Sequence, residues 1–596
     1  MYNPLNVRLR LNRLFIVFSI LAIILITVSC DDRHQHADNI SSADTIYLNG
    51  NILTMAIPET AEALAITDGR IIAVGNVETI NFYRNANTTV IDLKGKTLLP
   101  GFIDAHSHFT TVLKINNWAN ISAPPVGIIE NFIDLLAALL KHKEQHAIKK
   151  GEWIIAYGYD PTALEELYDI TINELDPVFP DNPVMIMHVS NHGAVLNSLA
   201  LEAFNINKQT PTPYGGIISR IKGTNEPSGL VMEAAFLPIY RIKSKLDEQA
   251  LGSLFRAQME YAKYGYTTIV DSSTLENEFE LLQKAALNKQ LFLDVISLPL
   301  FTDIKNILDK NSVEPAQYSD RLKLGGMKLI MDGSPQSKGA WFTQPYLTGN
   351  ADPDNLDNTN SAWRSEPIMP YSKFKQYYQY SVEQGLPVYT SANGDAAIDT
   401  VIQVNYELKI NHEQNHRHVV VNSQFMRSSH FDQFKKLGLI PSFFSNNAFF
   451  WGDAQVNNLG KERAFTSNPM QSALEQELRF TNHTNFSVTP LNPLFMVWTA
   501  VNRLSRGGTI IGTDERISPV QALKAITINA AYQFFEESEK GSLEAGKIAD
   551  LVILDKNPLT VAAGEIDTIQ VVETIKAGKT IYPQTPVDQL APEQSE

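Results

Sequence analysis

The stretch Leu99-Pro100-Gly101-Phe102-Ile103-Asp104-Ala105-His106-Ser107-His108 ends an apolar run in His-x-His. On a strand the side-chain period is two, so this spacing predicts both imidazoles on one side, within reach of a single metal ion. Pro100 and Gly101 punctuate the entry, and Asp104 is placed to hold an imidazole from behind. Alone, the pair reads more readily as two surface or core histidines, so its meaning depends on the rest of the chain.

Working outward, composition sets the bounds. The chain has 596 residues, more than one ordinary core, so at least two structural units are expected. Charged residues are 19% and hydrophobic ones 44%, which describes a globular protein. With 49 basic against 65 acidic residues the formal net charge is −16, which opposes binding to a phosphate backbone and excludes nucleic acid as the expected partner. There is one cysteine, Cys30, so neither a disulfide framework nor a Cys-rich zinc site can be built.

The first thirty residues read as an export signal. Arg8, Arg10 and Arg13 precede an apolar run from Leu14 to Val28, and Ser29 stands before Cys30. The segment resembles a bacterial lipoprotein signal, in which the cysteine is lipidated, although Thr27 departs from the usual Leu, Val or Ile. The run is shorter than the roughly 20 residues that span a bilayer. The expectation is therefore a lipid anchor on Cys30 at the bacterial cell envelope, followed by a polar tether over 31–43 that contains His34 and His36.

From 44 to 97 the pattern becomes short β-rich runs separated by Asn49-Gly50, Asp68-Gly69 and Lys94-Gly95. Residues 541–584 read similarly, ahead of a tail at 585–596. Two such ends predict one composite β-sandwich with the main domain inserted between its halves. Between them, 98–510 alternates strand-like and helical runs, with a helical segment at 511–540. Candidate strands include Trp153-Ile154-Ile155-Ala156-Tyr157, Val184-Met185-Ile186-Met187-His188, Tyr266 to Val270, Leu322 to Ile330, Pro387 to Ser391, His418 to Asn422 and Leu439 to Phe443. Strand then helix, repeated, predicts an α/β fold with a (β/α)8 TIM-like barrel, whose polar strand ends gather at one mouth.

A set of ordered motifs spans Thr45 to Tyr582. It comprises Gly101 to His108, His188-Val189-Ser190-Asn191-His192-Gly193-Ala194-Val195-Leu196-Asn197, Tyr264-Gly265-Tyr266-Thr267-Thr268, Lys328-Leu329-Ile330-Met331-Asp332-Gly333-Ser334, Asn393-Gly394-Asp395, Trp451-Gly452-Asp453 and Gly541 to Asp550. On these the chain resembles the amidohydrolase superfamily, in its amidohydrolase 3 group. The resemblance implies a hydrolase acting on carbon–nitrogen bonds other than peptide bonds, in small amides, formamides or N-acyl compounds. Its cofactor would be zinc or another divalent metal, which makes hydroxide from bound water near neutral pH.

By the same resemblance His106 and His108 match the first ligand pair, and Lys328 matches a lysine that many members carry carboxylated. The alternative for Lys328 is an unmodified amine paired with Asp332 or another barrel carboxylate. Four other site positions are replaced: Ser391, Asn422 and Asn447 stand where the family has histidines, and Asn485 stands where it has the carboxylate base. An amide cannot accept and return a proton near neutral pH, so no catalytic base is assigned. His483, two residues from Asn485 and about 7 Å away along a strand, is a candidate replacement, and Asp395 could lean in. His188 and His192 read as cleft residues or as an ordered loop, and Trp451 as a substrate wall or as core. Glu233 could position a substrate group or cap a helix. Two readings follow: a metal-dependent hydrolase of a small molecule, or a catalytically degenerate barrel that needs no metal and binds a small molecule or partner at the envelope.

Overall fold

A computed structural model of the chain describes residues 42–583, apart from 116, 244–245, 247, 311–313 and 352–358. Cys30, the export signal, His34 and His36 lie outside the described residues.

Eight parallel strands form the central array: β1 (Phe102–Ile103), β2 (Tyr266–Thr274), β3 (Asp294–Pro299), β4 (Met327–Ile330), β5 (Val388–Ala392), β6 (Val419–Asn422), β7 (Ile440–Phe443) and β8 (Thr481–Asn482). β1 to β3 pair in order, and β4 to β8 pair in order, all parallel. The junction runs through a broken strand. β3 pairs first with Leu322–Leu324, the chain breaks at Gly325-Gly326, and β3 is bridged again to β4 through Leu300 and Lys328. A Cβ on Gly325 would come 2.4 Å from Ile296 Cγ2, so only glycine lets the strand step past β3 there. Closure is made beyond the strand ends, where Asn485 N donates to His106 O at 3.2 Å and Thr484 Oγ1 donates to Asp104 Oδ2 at 2.9 Å. Helices such as Glu276–Leu287, Tyr371–Glu383, Asp395–Glu407 and Ser428–Leu437 alternate with the strands. They bury apolar faces on the array, as Phe374 and Tyr378 do, and the result is an α/β fold.

Two further sheets attach to this array. Strands from both chain ends share one eight-stranded sheet, in which Leu551–Leu554 pairs antiparallel with Thr97–Pro100. It curls so that Ile71 N donates to Lys547 O and Arg70 bridges Ile548, around a core that includes Leu64, Leu98 and Leu551. The second sheet corrects the sequence reading. Ile154–Tyr159 and Val184–His188, expected as barrel strands, belong to a separate six-stranded sheet inserted between β1 and β2, with its own apolar core. Both kinds of strand are short β-rich runs flanked by turns or helices, so the inserted and barrel strands look alike in sequence.

Candidate active site

The strand expected to carry His-x-His ends at Ile103, and His106 and His108 follow it in the turn above β1. They face each other edge to face with ring centroids 5.2 Å apart. His108 Nδ1 lies 2.9 Å from Ser272 O; a carbonyl only accepts, so Nδ1 carries the proton and Nε2 is left unprotonated. His106 Nδ1 is buried with no partner. Burial holds His106 well below the usual histidine range, with Lys328 adding to it, and lowers His108 to about 4. Both rings are therefore neutral, the form that binds metal.

Both histidines line a cavity of about 320 Å³ with Lys328, His192, Glu233, Ser391, Asn422 and Asn485. Apolar wall is supplied by Phe236, Leu300, Ile368 and Tyr377. Lys328 Nζ is buried without a partner, and burial lowers its amine to about 7, so much of it is neutral at pH 7. The neutral amine is the form that can coordinate a cation or take up carbon dioxide as a carbamate. The pairing of Lys328 with Asp332 expected as an alternative is not made. Asp332 instead accepts from the backbone N–H groups of Trp341, Asn393 and Gly394 at 2.8 to 2.9 Å, which ties the loops after β4 and β5 together.

The replaced positions divide. Asn422 Nδ2 donates to Ser391 Oγ at 3.0 Å, so the corner where the resemblance places two histidines is a neutral hydrogen-bonded pair. Asn422 and Asn485 have φ of 74° and 50°, left-handed backbone that asparagine tolerates better than most residues. Asn447 is not in the cavity; it is buried and its Oδ1 accepts from Gln455 Nε2.

Besides Asn447 and Asp332, four candidates fall outside the cavity. His483 follows β8 rather than lying on it, so the two-residue strand spacing to Asn485 does not hold. Its ring is stacked on Phe444 at 5.4 Å, edge to face with His106 at 4.9 Å, and both its nitrogens are buried without partners. Asp395 accepts from Thr343 N and pairs with Arg427. Trp451 is core, with Nε1 donating to Asp160 Oδ2 at 3.0 Å. His188 is buried against Ser190 Oγ. His192 does reach the cavity, and so does Glu233, whose Oε2 lies 2.8 Å from His192 Nδ1. The two are 41 residues apart, and only the pairing of the inserted strands brings them together.

Any cation held here would have His106, His108 and Lys328 as its donors. Among the described residues no three or more His, Cys, Asp or Glu side chains are grouped to hold a metal ion, so Lys328 is required beside the two imidazoles. The Ser391 and Asn422 corner offers only neutral oxygen, which zinc binds weakly.

The sequence pattern of the Amidohydrolase family matches residues 89–582. Among curated relatives, N-substituted formamide deformylase of Arthrobacter pascens is 25% identical over 91% of this chain and 99% of its own. Protein LONG AFTER FAR-RED 3 of Arabidopsis thaliana is 28% identical over 91% and 92%, and putative amidohydrolase YtcJ of Bacillus subtilis is 23% identical over 90% and 99%. An uncharacterized metal-dependent hydrolase from Pyrococcus horikoshii superposes with a TM-score of 0.68, at 22% identity, covering 87% of this chain and 99% of that one. That likeness is one of fold. With the family pattern running from before β1 to the last strand of the end sheet, the chain is a member of the amidohydrolase family.

Proposed function

We propose that this family member hydrolyses carbon–nitrogen bonds in small amides, formamides or N-acyl amines with the help of one divalent cation. The observation that carries the reading is the convergence of two neutral imidazoles and one unpartnered buried amine, His106, His108 and Lys328, on a single cavity. These three residues would hold the cation, which supplies a water acidic enough to lose a proton near neutral pH. His108 is oriented for this by the Ser272 carbonyl, and the apolar wall excludes bulk water and accepts the non-reacting part of the substrate. Asn485 cannot take the water's proton, so proton transfer falls to another group facing the cavity. The leader and Cys30 support an enzyme held by a lipid at the bacterial cell envelope; among the described residues no helix is long and apolar enough to cross a membrane.

The paired Ser391 and Asn422 and the amide at Asn485 favour a second reading, a barrel that binds a small molecule without turning it over. Metal analysis of the purified chain, with zinc-supplemented assays on N-formyl and N-acyl amines, separates the two. The hydrolase reading expects close to one zinc per chain and release of free amine. Less than a tenth of a metal per chain, with no turnover, leaves the binder.

A further inference from the structure

The inserted sheet brings into the cavity an ionisable pair that the barrel does not supply. Strands Gly193–Leu196 and Pro227–Glu233 run antiparallel with Gly193 opposite Met232, and beyond that rung Glu233 N donates to His192 O at 2.7 Å. Their side chains meet as well, with Nδ1 of His192 2.8 Å from Glu233 Oε2. A carboxylate only accepts, so Nδ1 carries the proton and the neutral ring keeps an unprotonated Nε2. The carboxylate is 8% exposed and the imidazole 23%, which leaves the ring as the accessible member of the pair.

The carboxylate is itself held from the barrel side. Glu233 has φ of 52°, a conformation costly for a long side chain. Its second oxygen, Oε1, is buried without a partner and packs on glycine backbone: a Cβ on Gly333 would come within 2.0 Å of it, and one on Gly339 within 3.1 Å. Gly333 follows β4, so the strand that carries Lys328 also makes room for the carboxylate that orients His192.

We propose that His192, positioned by Glu233 on the seat left by Gly333, is the proton carrier of the reaction in place of the carboxylate that Asn485 replaces. This rests on the hydrolytic reading. As a water oxygen bonds to the carbonyl carbon, His192 Nε2 takes one proton from that water. The carbon–nitrogen bond then breaks and the same proton passes to the departing nitrogen, giving an amine and a carboxylic acid that ionises to solvent. Burial disfavours the imidazolium, but Glu233 outweighs it and, with Asp332, raises the ring above its ordinary value, while Lys328 opposes. His188 and His108 are the other titrating groups near the ring.

The test uses the full-length zinc-loaded chain and two probes, N-formylbutylamine and 4-nitroformanilide, whose leaving nitrogens differ in their need for a proton. For His192→Gln we expect kcat on N-formylbutylamine to fall about 100-fold or more with KM changed less than about 3-fold, and a clearly smaller loss on 4-nitroformanilide. Glu233→Gln removes the charge that favours the imidazolium, so the acid limb of the kcat profile moves to lower pH. Gly333→Ala, which presses on the carboxylate from the barrel and removes no cavity side chain, shows the same shift in part and carries the test if His192→Gln does not fold. Equal losses on both probes, an effect on KM alone, or an unmoved acid limb overturns the assignment. Turnover that survives His192→Gln overturns the pair and leaves the hydrolytic reading standing; no turnover of either probe by the wild-type chain overturns both.

Discussion

At the foot of the barrel Lys540 and Lys576 both reach Asp294, at 2.5 and 2.6 Å, and Lys576 also reaches Asp550 at 2.7 Å. Glu536 adds Lys323 at 2.8 Å and Lys540 at 3.1 Å. At the mouth, Lys328 is as deeply buried and ends without a partner. Burial works against the charge on both Lys540 and Lys328; at the foot Glu536 and Asp294 outweigh it for Lys540 and raise it, while at the mouth burial lowers Lys328 to about 7. Compensated charge joins the barrel to the C-terminal segments, and uncompensated polar groups are left where a cation or substrate can satisfy them.

The sharpest way to break this comparison is to remove the hub at the foot. Asp294→Ala leaves two amines buried without their shared carboxylate, and we expect a loss of about 3 to 5 kcal/mol, read as a lower urea midpoint. The pH dependence has a defined sign. Burial pushes the Asp294 carboxyl up, but Lys576 and Lys540 outweigh it and hold it well below the usual carboxylate range. A group whose folded value lies below its unfolded one is protonated first in the unfolded chain, so its stabilisation is present above about pH 4 and is lost as pH falls further. Asp294→Ala should flatten the fall of stability with pH below about 4. An unchanged urea midpoint would mean that the foot is no more dependent on pairing than the mouth.

The next effect is at the mouth and concerns metal stoichiometry. Asn422 Nδ2 donates to Ser391 Oγ at 3.0 Å while Asn422 Oδ1 stays without a partner, and neither residue offers zinc a strong ligand. The combined variant Ser391→His, Asn422→His and Asn485→Asp should raise the zinc content from about one to about two per chain. A content that stays at one would show that the corner has closed in ways beyond the two side chains.

Much of this arrangement was legible in the sequence, because strands such as Val388–Ala392 and Val419–Asn422 are β-rich runs and the ordered motifs mark where they fall. The inserted sheet was not, since Ile154–Tyr159 and Val184–His188 are short, largely apolar β-rich runs like several barrel strands and nothing local marks them as a different sheet. Strand spacing pairs His483 with Asn485, but β8 stops at Asn482, before either residue. Glu233 was left between two roles, since its partner lies 41 residues away and its orientation depends on a left-handed backbone and on the space over Gly333. The available signal was the bare glycine after Asp332, whose purpose appears only when the carboxylate is seen against it.

The smallest stability effect is expected at Lys328 itself. Its stem is buried on β4, and its amine is desolvated without a hydrogen bond in return. Lys328→Met keeps most of the stem volume and removes a polar group that burial penalises, so the urea midpoint should stay within about 1 kcal/mol of the wild type or rise. Zinc should nevertheless fall below about a tenth of an ion per chain, because two imidazoles alone make a weak site. If Lys328→Met instead costs as much as Asp294→Ala, the mouth lysine is held by an ion pair in solution. The two ends of the barrel would then be built on one principle rather than two.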